Sequence, residues 1–380
     1  MVLISKKEKI RVLHITFDMG IGGTEQVIRN LVTGDKWPEC GVQHQLCCIE
    51  SPLGTWGCEL QRSGVPVDVF QRKPKLDWSL VCQIHRIIQR RRIHIVHAHQ
   101  YTPFTYGFLA SRLTPAKVIF TEHGRFYPDS STLKRRTVNR LMFPFVNKIT
   151  AISEATKQAL VDHEAIPSSR IDVIYNGIHT LPASPIEEQA QLRTELGIPQ
   201  NALIFGTIAR FDPIKNQTLM IRGFAEALKK YPHLRLVLVG DGPERTTLNE
   251  LVAHLGITDQ VIFVGYQPHP HRYVHLFDVF LLTSLSEGTS MTLLEAMSAG
   301  KPCIVSAAGG NPEIVSHNKT GLVFPNNDQA AYVAALHRLI ENENDRLTMS
   351  AEAISVFDTH FTAKVMQHRF LDIYQTLSNT

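Results

Sequence analysis

The sequence predicts an α/β protein of two doubly wound parallel-sheet domains, and three observations carry that expectation. Apolar runs of strand length recur along the chain, rich in Val, Ile and Leu and without strict alternation, as strands covered on both faces require. Stretches of helical pattern separate these runs, so strand and helix alternate. At 380 residues the chain is too long for one ordinary core, which favours two domains.

The strand candidates of the first half are Arg11–Phe17, Gln45–Ile49, His94–His97, Lys117–Thr121, Ile149–Ile152 and Ile171–Ile174. Those of the second half are Leu203–Ala209, Leu234–Val239, Val261–Val264, Val279–Leu282, Cys303–Ser306 and Gly321–Val323. A helix is expected from about Thr218 to Tyr231, where Pro232 stops it. Another ends at Gly300, ahead of Lys301-Pro302, the Gly-then-Pro punctuation of a helix C-terminus. Pro182, Pro185 and Pro199 mark residues 181–200 as the connection between a first domain, 1–180, and a second, 201–362. A last helix is expected over Ala363–Leu377. Two such sheets facing each other would leave a cleft at the carboxyl ends of their strands, where open α/β folds bind ligands.

Composition narrows the class. With 43% apolar and 19% charged residues, the chain reads as a soluble globular protein. Its net charge of 39 − 35 = +4 favours anionic ligands or a membrane surface and falls short of a nucleic-acid-binding signature. Six cysteines, at 40, 47, 48, 58, 82 and 303, form no CxxC pair, so reduced thiols in a cytoplasmic protein are expected. Residues 1–17 hold a charged stretch and a short apolar run, unlike a signal peptide, and no run approaches the length of a bilayer span.

The most informative stretch is "SLSEGTSMTLLEAMSAGKP", residues 284–302. A strand, "DVFLLTS", gives way to a small-residue turn and then to a helix starting near Ser290 or Met291. The unpaired N–H groups and positive dipole end of such a helix make an anion site, with Gly288, Thr289, Ser290, Met291 and Thr292 as its loop. Glu295, one turn inside, could accept hydrogen bonds from two neighbouring ribose hydroxyls, and Glu287 could contact a sugar beyond the phosphate. Read alone, each is an ordinary acid favoured at a helix start. "GTIARFDPIKNQ" places Arg210 at a strand end with Lys215 five residues on, a fork and a compact charge suited to a pyrophosphate. Two solvated surface cations are the plain alternative.

The first domain has "FDMGIGGTEQVIRNL", in which Thr24 and Glu25 follow Gly22 and Gly23 and break the dinucleotide fingerprint. Those two glycines still allow close approach to a diphosphate. In "IVHAHQY", alternation puts His97 and His99 on one face, yet no third metal ligand is evident nearby. "TEHGRFY" adds His123 and Arg125 at another strand end, as acceptor-side candidates. His99 or His123 could touch an acceptor hydroxyl or be a satisfied structural residue. No Asp-x-Asp pair occurs, so the usual metal clamp for a sugar diphosphate is missing. Lys134, Arg135, Arg136 and Arg140, edged by Leu141, Met142, Phe143 and Phe145, suit either an anionic membrane or a helix with one wet and one buried face.

Taken together, Glu287-x7-Glu295, "ARFDPIKN", "GDGPE" and "GGTE" resemble the family-4 retaining glycosyltransferases of GT-B fold over nearly the whole chain. The resemblance implies two Rossmann-like domains, the first acceptor-side and the second nucleotide-sugar-binding, with the helix at about 363–380 packing back on the first. It implies that Arg210 and Lys215 hold the diphosphate, Glu295 the ribose, Glu287 the transferred sugar and residues 288–292 backbone donors. The backbone at Tyr266 would bear on the base, and His99 would face the acceptor or donor sugar. The expected reaction is metal-independent, front-face transfer of a hexose from a nucleotide diphosphate sugar, UDP favoured, to a glycan or lipid-linked hydroxyl, with no resident cofactor. A sugar-nucleotide epimerase or hydrolase, a non-catalytic nucleotide-binding partner in glycan assembly and a dehydrogenase are the alternatives. "GTSMTLL" departs from the Phe-Pro or Leu-Ser pair of many relatives, which leaves the donor sugar open.

Overall fold

Short apolar runs that must be covered on both sides form two parallel sheets in the computed structural model, which describes residues 9–34, 36–124 and 131–379. The first sheet comprises β1 (Ile10–Thr16), β2 (Val42–Cys48), β3 (Val67–Val69), β4 (Ile95–His99), β5 (Lys117–Glu122), β6 (Lys148–Ala151) and β7 (Ile171–Val173), ordered β3-β2-β1-β4-β5-β6-β7. The second comprises β8 (Leu203–Ile208), β9 (Leu234–Val239), β10 (Val261–Gly265), β11 (Val279–Leu282), β12 (Cys303–Ser306) and β13 (Gly321–Phe324), ordered β10-β9-β8-β11-β12-β13. Every pairing is parallel.

Two compact units result. One holds the described residues up to Gly177 together with the helix Ala363–Ser378, and the other runs from Ile178 to Thr362. In the first unit, Cys47 joins a core with Leu13, Ile15 and Ile84, whereas its neighbours Leu46 and Cys48 join a different one with Ile28 and Leu60. Successive residues of a strand point to opposite faces, so β2 is buried on both. In the second unit Phe205, Phe224, Leu236, Leu281 and Tyr332 anchor one continuous core.

Three features differ from the sequence expectation. β3 escaped notice because Val67-Asp68-Val69 is a three-residue edge strand, shorter than a periodic pattern can reveal. The fourth strand begins at Ile95 and extends to His99, two residues beyond the expected end. Residues 181–200, read from their prolines as a connection, carry the helix Ile186–Glu195 and group with the second unit. Pro185 is its N-cap and Glu187 and Glu188 occupy its first turn, so the proline marks a helix start, a position where its missing N–H costs nothing.

The helix Ala363–Ser378 is bound into the first unit by side chains. Phe370 and Tyr374 are buried, the Tyr374 hydroxyl lies 2.8 Å from His97 Nδ1, and Gln367 Nε2 donates to the Asn30 carbonyl at 2.6 Å. Phe370→Ala leaves a cavity where a buried ring stood, and should cost the first unit about 3–5 kcal/mol in urea unfolding. A midpoint unchanged from wild type would mean that the helix is a loosely attached tail.

Candidate active site

Strand order reverses once in each sheet, between β1 and β4 in the first and between β8 and β11 in the second. Loops leaving two such strands diverge to opposite faces and open a crevice at their carboxyl ends. In the second unit, Arg210 and Lys215 follow β8, while Glu287 and the helix Met291–Ser298 follow β11, so all converge on one switch point.

Local geometry builds this site from backbone constraints. After β8 the chain makes a one-turn 3-10 helix, Pro213–Lys215, capped by Asp212, whose carboxylate accepts from the Ile214 N–H at 3.2 Å. Thr283 Oγ1 lies 3.1 and 3.0 Å from the Lys215 and Asn216 carbonyls, and the Leu285 N–H donates to the Ile214 carbonyl at 2.7 Å. The exit of β11 is thereby stitched to the exit of β8. Lys215 Nζ donates to Glu287 Oε1 at 2.6 Å, and Ser284 Oγ donates to the same oxygen at 2.6 Å. The Glu287 side chain is only 9% exposed, so this ion pair is shielded. The Gly310 N–H holds the Glu287 carbonyl at 3.1 Å. Gly309 has φ +52°, and a Cβ there would sit 1.8 Å from the Glu287 carbonyl oxygen, so only glycine fits.

Arg210 stands apart, 71% exposed, with Nε 3.9 Å from Asp212 Oδ2. The helix Met291–Ser298 starts where the sequence placed it. Ser290 Oγ accepts from the Leu293 N–H at 3.4 Å, and Thr289, Ser290 and Met291 are buried while Gly288 and Thr292 are half-buried. Glu295 is half-buried, one turn along the helix from Met291. Tyr266 is exposed just past β10, where the Gly240 N–H donates to the Gly265 carbonyl at 2.9 Å and ties the "GDGPE" turn to this segment.

In the first unit the switch point gathers Gly22, Gly23 and His99. Gly22 precedes the helix Gly23–Val32 in an extended conformation, and Gln100 Nε2 donates to Thr24 Oγ1 at 3.2 Å across the point of reversal. Burial pushes the Glu25 carboxyl above its ordinary range. His97 and His99 share a face, with rings stacked at 4.3 Å, and are fully buried. His123 follows β5, and Arg125 lies outside the described residues.

The histidines form a larger group than the sequence suggested. His14 on β1 and His44 on β2 join His97, His99 and His123. The signal for His14 and His44 was present, a histidine inside an apolar run in "RVLHITF" and in "VQHQLCC", but a lone histidine in a strand says nothing of its neighbours. His14, His97 and His99 bring ligand nitrogens within 4.8 Å of one another, the spacing of a metal site. Their nitrogens already have other partners: His97 bonds Tyr374 and Thr121, and His14 bonds His99 and His44.

The basic segment forms the helix Leu133–Met142. Arg135 is committed to structure: Nε lies 2.8 Å from the fully buried Glu164 carboxylate, and the guanidinium covers the Tyr101 ring at 3.9 Å. Lys134 and Arg140 are exposed and Arg136 is half-buried. Leu133 and Leu141 on this helix and Phe145 just beyond it are 83%, 69% and 56% exposed among the described residues. No helix among the described residues is long and apolar enough to cross a membrane.

Burial holds all five histidines neutral. His44 and His123 are pushed down to about 3, and His14, His97 and His99 fall well below the ordinary value of 6.5, chiefly from loss of hydration and then from neighbouring imidazoles. A depressed folded-state pKa means stability is intact above the unfolded value and is lost as pH falls. Below about 6.5 the unfolded chain takes up protons that the folded chain refuses. Each such histidine contributes a slope approaching ~1.4 kcal/mol per pH unit. Thermal melts should therefore show the first unit's midpoint dropping steeply from pH 6.5 to 4, and a flat profile would contradict neutral burial.

Comparison with known proteins agrees with this geometry. The model of glycosyltransferase family 4 matches residues 21–180, and that of glycosyl transferases group 1 matches residues 188–356. The N-acetyl-alpha-D-glucosaminyl L-malate synthase of Bacillus anthracis is 28% identical over 312 residues, 80% of each chain. The UDP-Gal:alpha-D-GlcNAc-diphosphoundecaprenol alpha-1,3-galactosyltransferase of Escherichia coli is 26% identical, over 89% of this chain and 90% of its own. Anabaena HepE, solved in complex with UDP, superposes with a TM-score of 0.84 at 21% identity, covering 97% of this chain and all (100%) of its own. Two parallel-sheet units with their carboxyl-end loops so equipped, matched by both family models in the same order, make this chain a family-4 glycosyltransferase of GT-B fold.

Proposed function

We propose that the chain transfers a hexose-type sugar, with retention of anomeric configuration and without a metal ion, from a UDP-sugar to a hydroxyl of a glycan or lipid-linked acceptor. The observation that carries this reading is the convergence of Arg210, the Lys215–Glu287 pair and the start of the helix Met291–Ser298 on one switch point. Departure of a nucleoside diphosphate concentrates negative charge, and preorganised cations and helix-start amides offset it with little rearrangement. Lys215 has three N–H donors, of which Glu287 takes one, so it can engage a diphosphate while remaining anchored. Both bonds to Glu287 fall on Oε1, and we assign Oε2 to the hydroxyls of the transferred sugar. Glu295 is assigned to the ribose, Tyr266 to the base, and residues 288–292 to the phosphates.

Metal independence is supported by the sequence, which has no Asp-x-Asp pair, and by a cation set suited to the same task. Retention follows the family picture of front-face attack, in which the departing diphosphate helps to deprotonate the acceptor, so no protein nucleophile is assigned. The relatives support a sugar-nucleotide donor, since one is named for UDP-Gal and a structural neighbour holds UDP. Their names differ in acceptor, malate in one and a lipid diphosphate in the other, so they do not choose between a glycan and a lipid-linked acceptor.

A thermal-shift panel of UDP-, GDP- and ADP-sugars tests the donor, because a ligand at 100-fold its Kd stabilises the folded state by ~2.7 kcal/mol. UDP-sugars should raise the midpoint, and a larger rise with another base would reassign the nucleotide. Arg210→Ala should lower turnover by about 10²–10³-fold, and Glu295→Ala should weaken donor binding by roughly tenfold. Unchanged kinetics in both would remove the charge-stabilisation account.

Peripheral membrane contact is a second part of this reading, carried by the exposed Leu133, Leu141 and Phe145 beside Lys134 and Arg140. Vesicles containing anionic lipid should sediment the chain at low salt. The Leu133→Asp, Leu141→Asp double variant should stay in the supernatant, and equal sedimentation of both proteins would count against the patch.

A further inference from the structure

The loop that carries Glu287 has no ladder of its own. Residues 284–290, between β11 and the helix Met291–Ser298, form neither strand nor helix, so bonds from other loops place the carboxylate. One set comes from Ile214 and Lys215, past the exit of β8. A second set comes from the segment "SAAGGN", Ser306 to Asn311, at the end of β12. Ser306 Oγ donates to the Ser284 carbonyl at 2.6 Å, and the Gly310 N–H donates to the Glu287 carbonyl at 3.1 Å. Two donors on one short segment therefore meet two carbonyls on another.

Both bonds form together only if the donor segment keeps one shape. Ala307, Ala308, Gly309 and Gly310 offer no polar side chain to hold it. Asn311 supplies the side-chain restraint. It is fully buried, and its Nδ2 donates at 3.2 Å to the Ser306 carbonyl, which also accepts from the Ala308 N–H at 2.8 Å. The amide thus spans the segment from its last residue to its first. Asn311 Oδ1 is shielded and has no hydrogen-bond partner among the described residues, so the bond to Ser306 is the amide's single commitment. A buried amide that leaves its oxygen unsatisfied is unfavourable for folding and calls for an explanation.

The contacts close into a ring. Asn311 holds Ser306, Ser306 holds the Ser284 carbonyl, Ser284 Oγ holds the Glu287 carboxylate, and the Glu287 carbonyl returns to Gly310, the neighbour of Asn311. Side chain and backbone of Glu287 are both tied to one amide.

We propose that Asn311 is a positioning residue for recognition of the transferred sugar: by clamping residues 306–310 it sets where the Glu287 carboxylate stands. The proposal rests on the assignment of Glu287 Oε2 to the sugar hydroxyls. A recognition group left about 1 Å out of place by its supports loses much of its effect. The groups assigned to the diphosphate have other restraints: Thr283 holds the Lys215 carbonyl, Asp212 caps the turn before it, and Ser290 caps the helix Met291–Ser298. Loosening the clamp therefore separates the two parts of the donor, since the nucleotide keeps its contacts and the sugar loses its own.

Isothermal titration of the full chain with UDP, UDP-glucose, UDP-galactose and UDP-N-acetylglucosamine reads that separation. Asn311→Ala should weaken binding of the sugar nucleotide that wild type binds best by roughly three- to tenfold, the effect of one hydrogen bond, and leave UDP binding unchanged. In a Glu287→Ala background the same change should have no further effect, because the residue through which it acts is gone. Equal weakening toward UDP and the sugar nucleotide, weakening of neither, or an additive loss in the double variant would overturn the proposal. Ser306→Ala breaks the next bond of the ring and should give the same split, so it decides if Asn311→Ala does not fold.

Amide hydrogen exchange needs no ligand. Asn311→Ala should lower protection of the Gly310 N–H by about tenfold, while the Leu285 N–H, bonded to Ile214, keeps its protection. Unchanged protection at Gly310 would also overturn the clamp. If Glu287→Ala binds sugar nucleotides as wild type does, the assignment of Glu287 to the sugar fails, and the sugar role of Asn311 with it, while a response at Gly310 would keep the clamp. If wild type binds none of the four ligands, the donor reading fails instead, and exchange at Gly310 decides the clamp.

Discussion

Glu287 is held from three directions, and the second unit's site depends on that restraint. Its carboxylate receives Lys215 from the loop after β8 and Ser284 from the end of β11, while its carbonyl is fixed by the loop after β12. A charge pair this shielded is costly to form, because both ions give up water. Cores are not usually stabilised by such an arrangement, but a site that must present charge in a fixed place is defined by it. The close approach at Gly309 belongs to the same device: a peptide group, with no side chain between, sets the depth of the loop bearing Glu287.

The two units meet the problem of buried polarity in opposite ways. The second keeps formal charges, Arg210 in water and Lys215 against a carboxylate, as binding an anionic leaving group demands. The first collects imidazoles and suppresses their charge by burial, linking them to one another and to Thr121 and Tyr374. The same chemical group would carry positive charge at an exposed position under mildly acidic conditions. Enclosed by β1, β2, β4 and the helix Ala363–Ser378, it stays neutral.

Much of this architecture can be read from the residues. Runs such as Leu234–Val239 and Val279–Leu282 became strands over the same residues, because an unalternating apolar run has few other uses in an α/β chain. Val67–Val69 was invisible since three residues carry no period, and Pro185 misled because proline both breaks chains and begins helices. The stretch from Ser284 to Pro302 announced its turn and helix, which starts at Met291, one of the two positions expected. The direct Lys215–Glu287 bond and the role of Gly309 were not legible. Both depend on contacts across tens of residues, which spacing along the chain does not encode. The histidine cluster was hidden for the same reason: His14 and His97 are register partners on adjacent strands, 83 positions apart in the chain.

The helix Ala363–Ser378 closes the first unit with the last segment of the sequence. During synthesis, therefore, the amino-terminal half emerges from the ribosome without one wall of its core, and His97 waits for the Tyr374 hydroxyl until the whole second unit has been translated. The nascent sheet is left with an open apolar side for that interval, tens of seconds at typical elongation rates of roughly 5–20 residues per second. The order of assembly is thus reversed for this half of the molecule: what is made first is completed last.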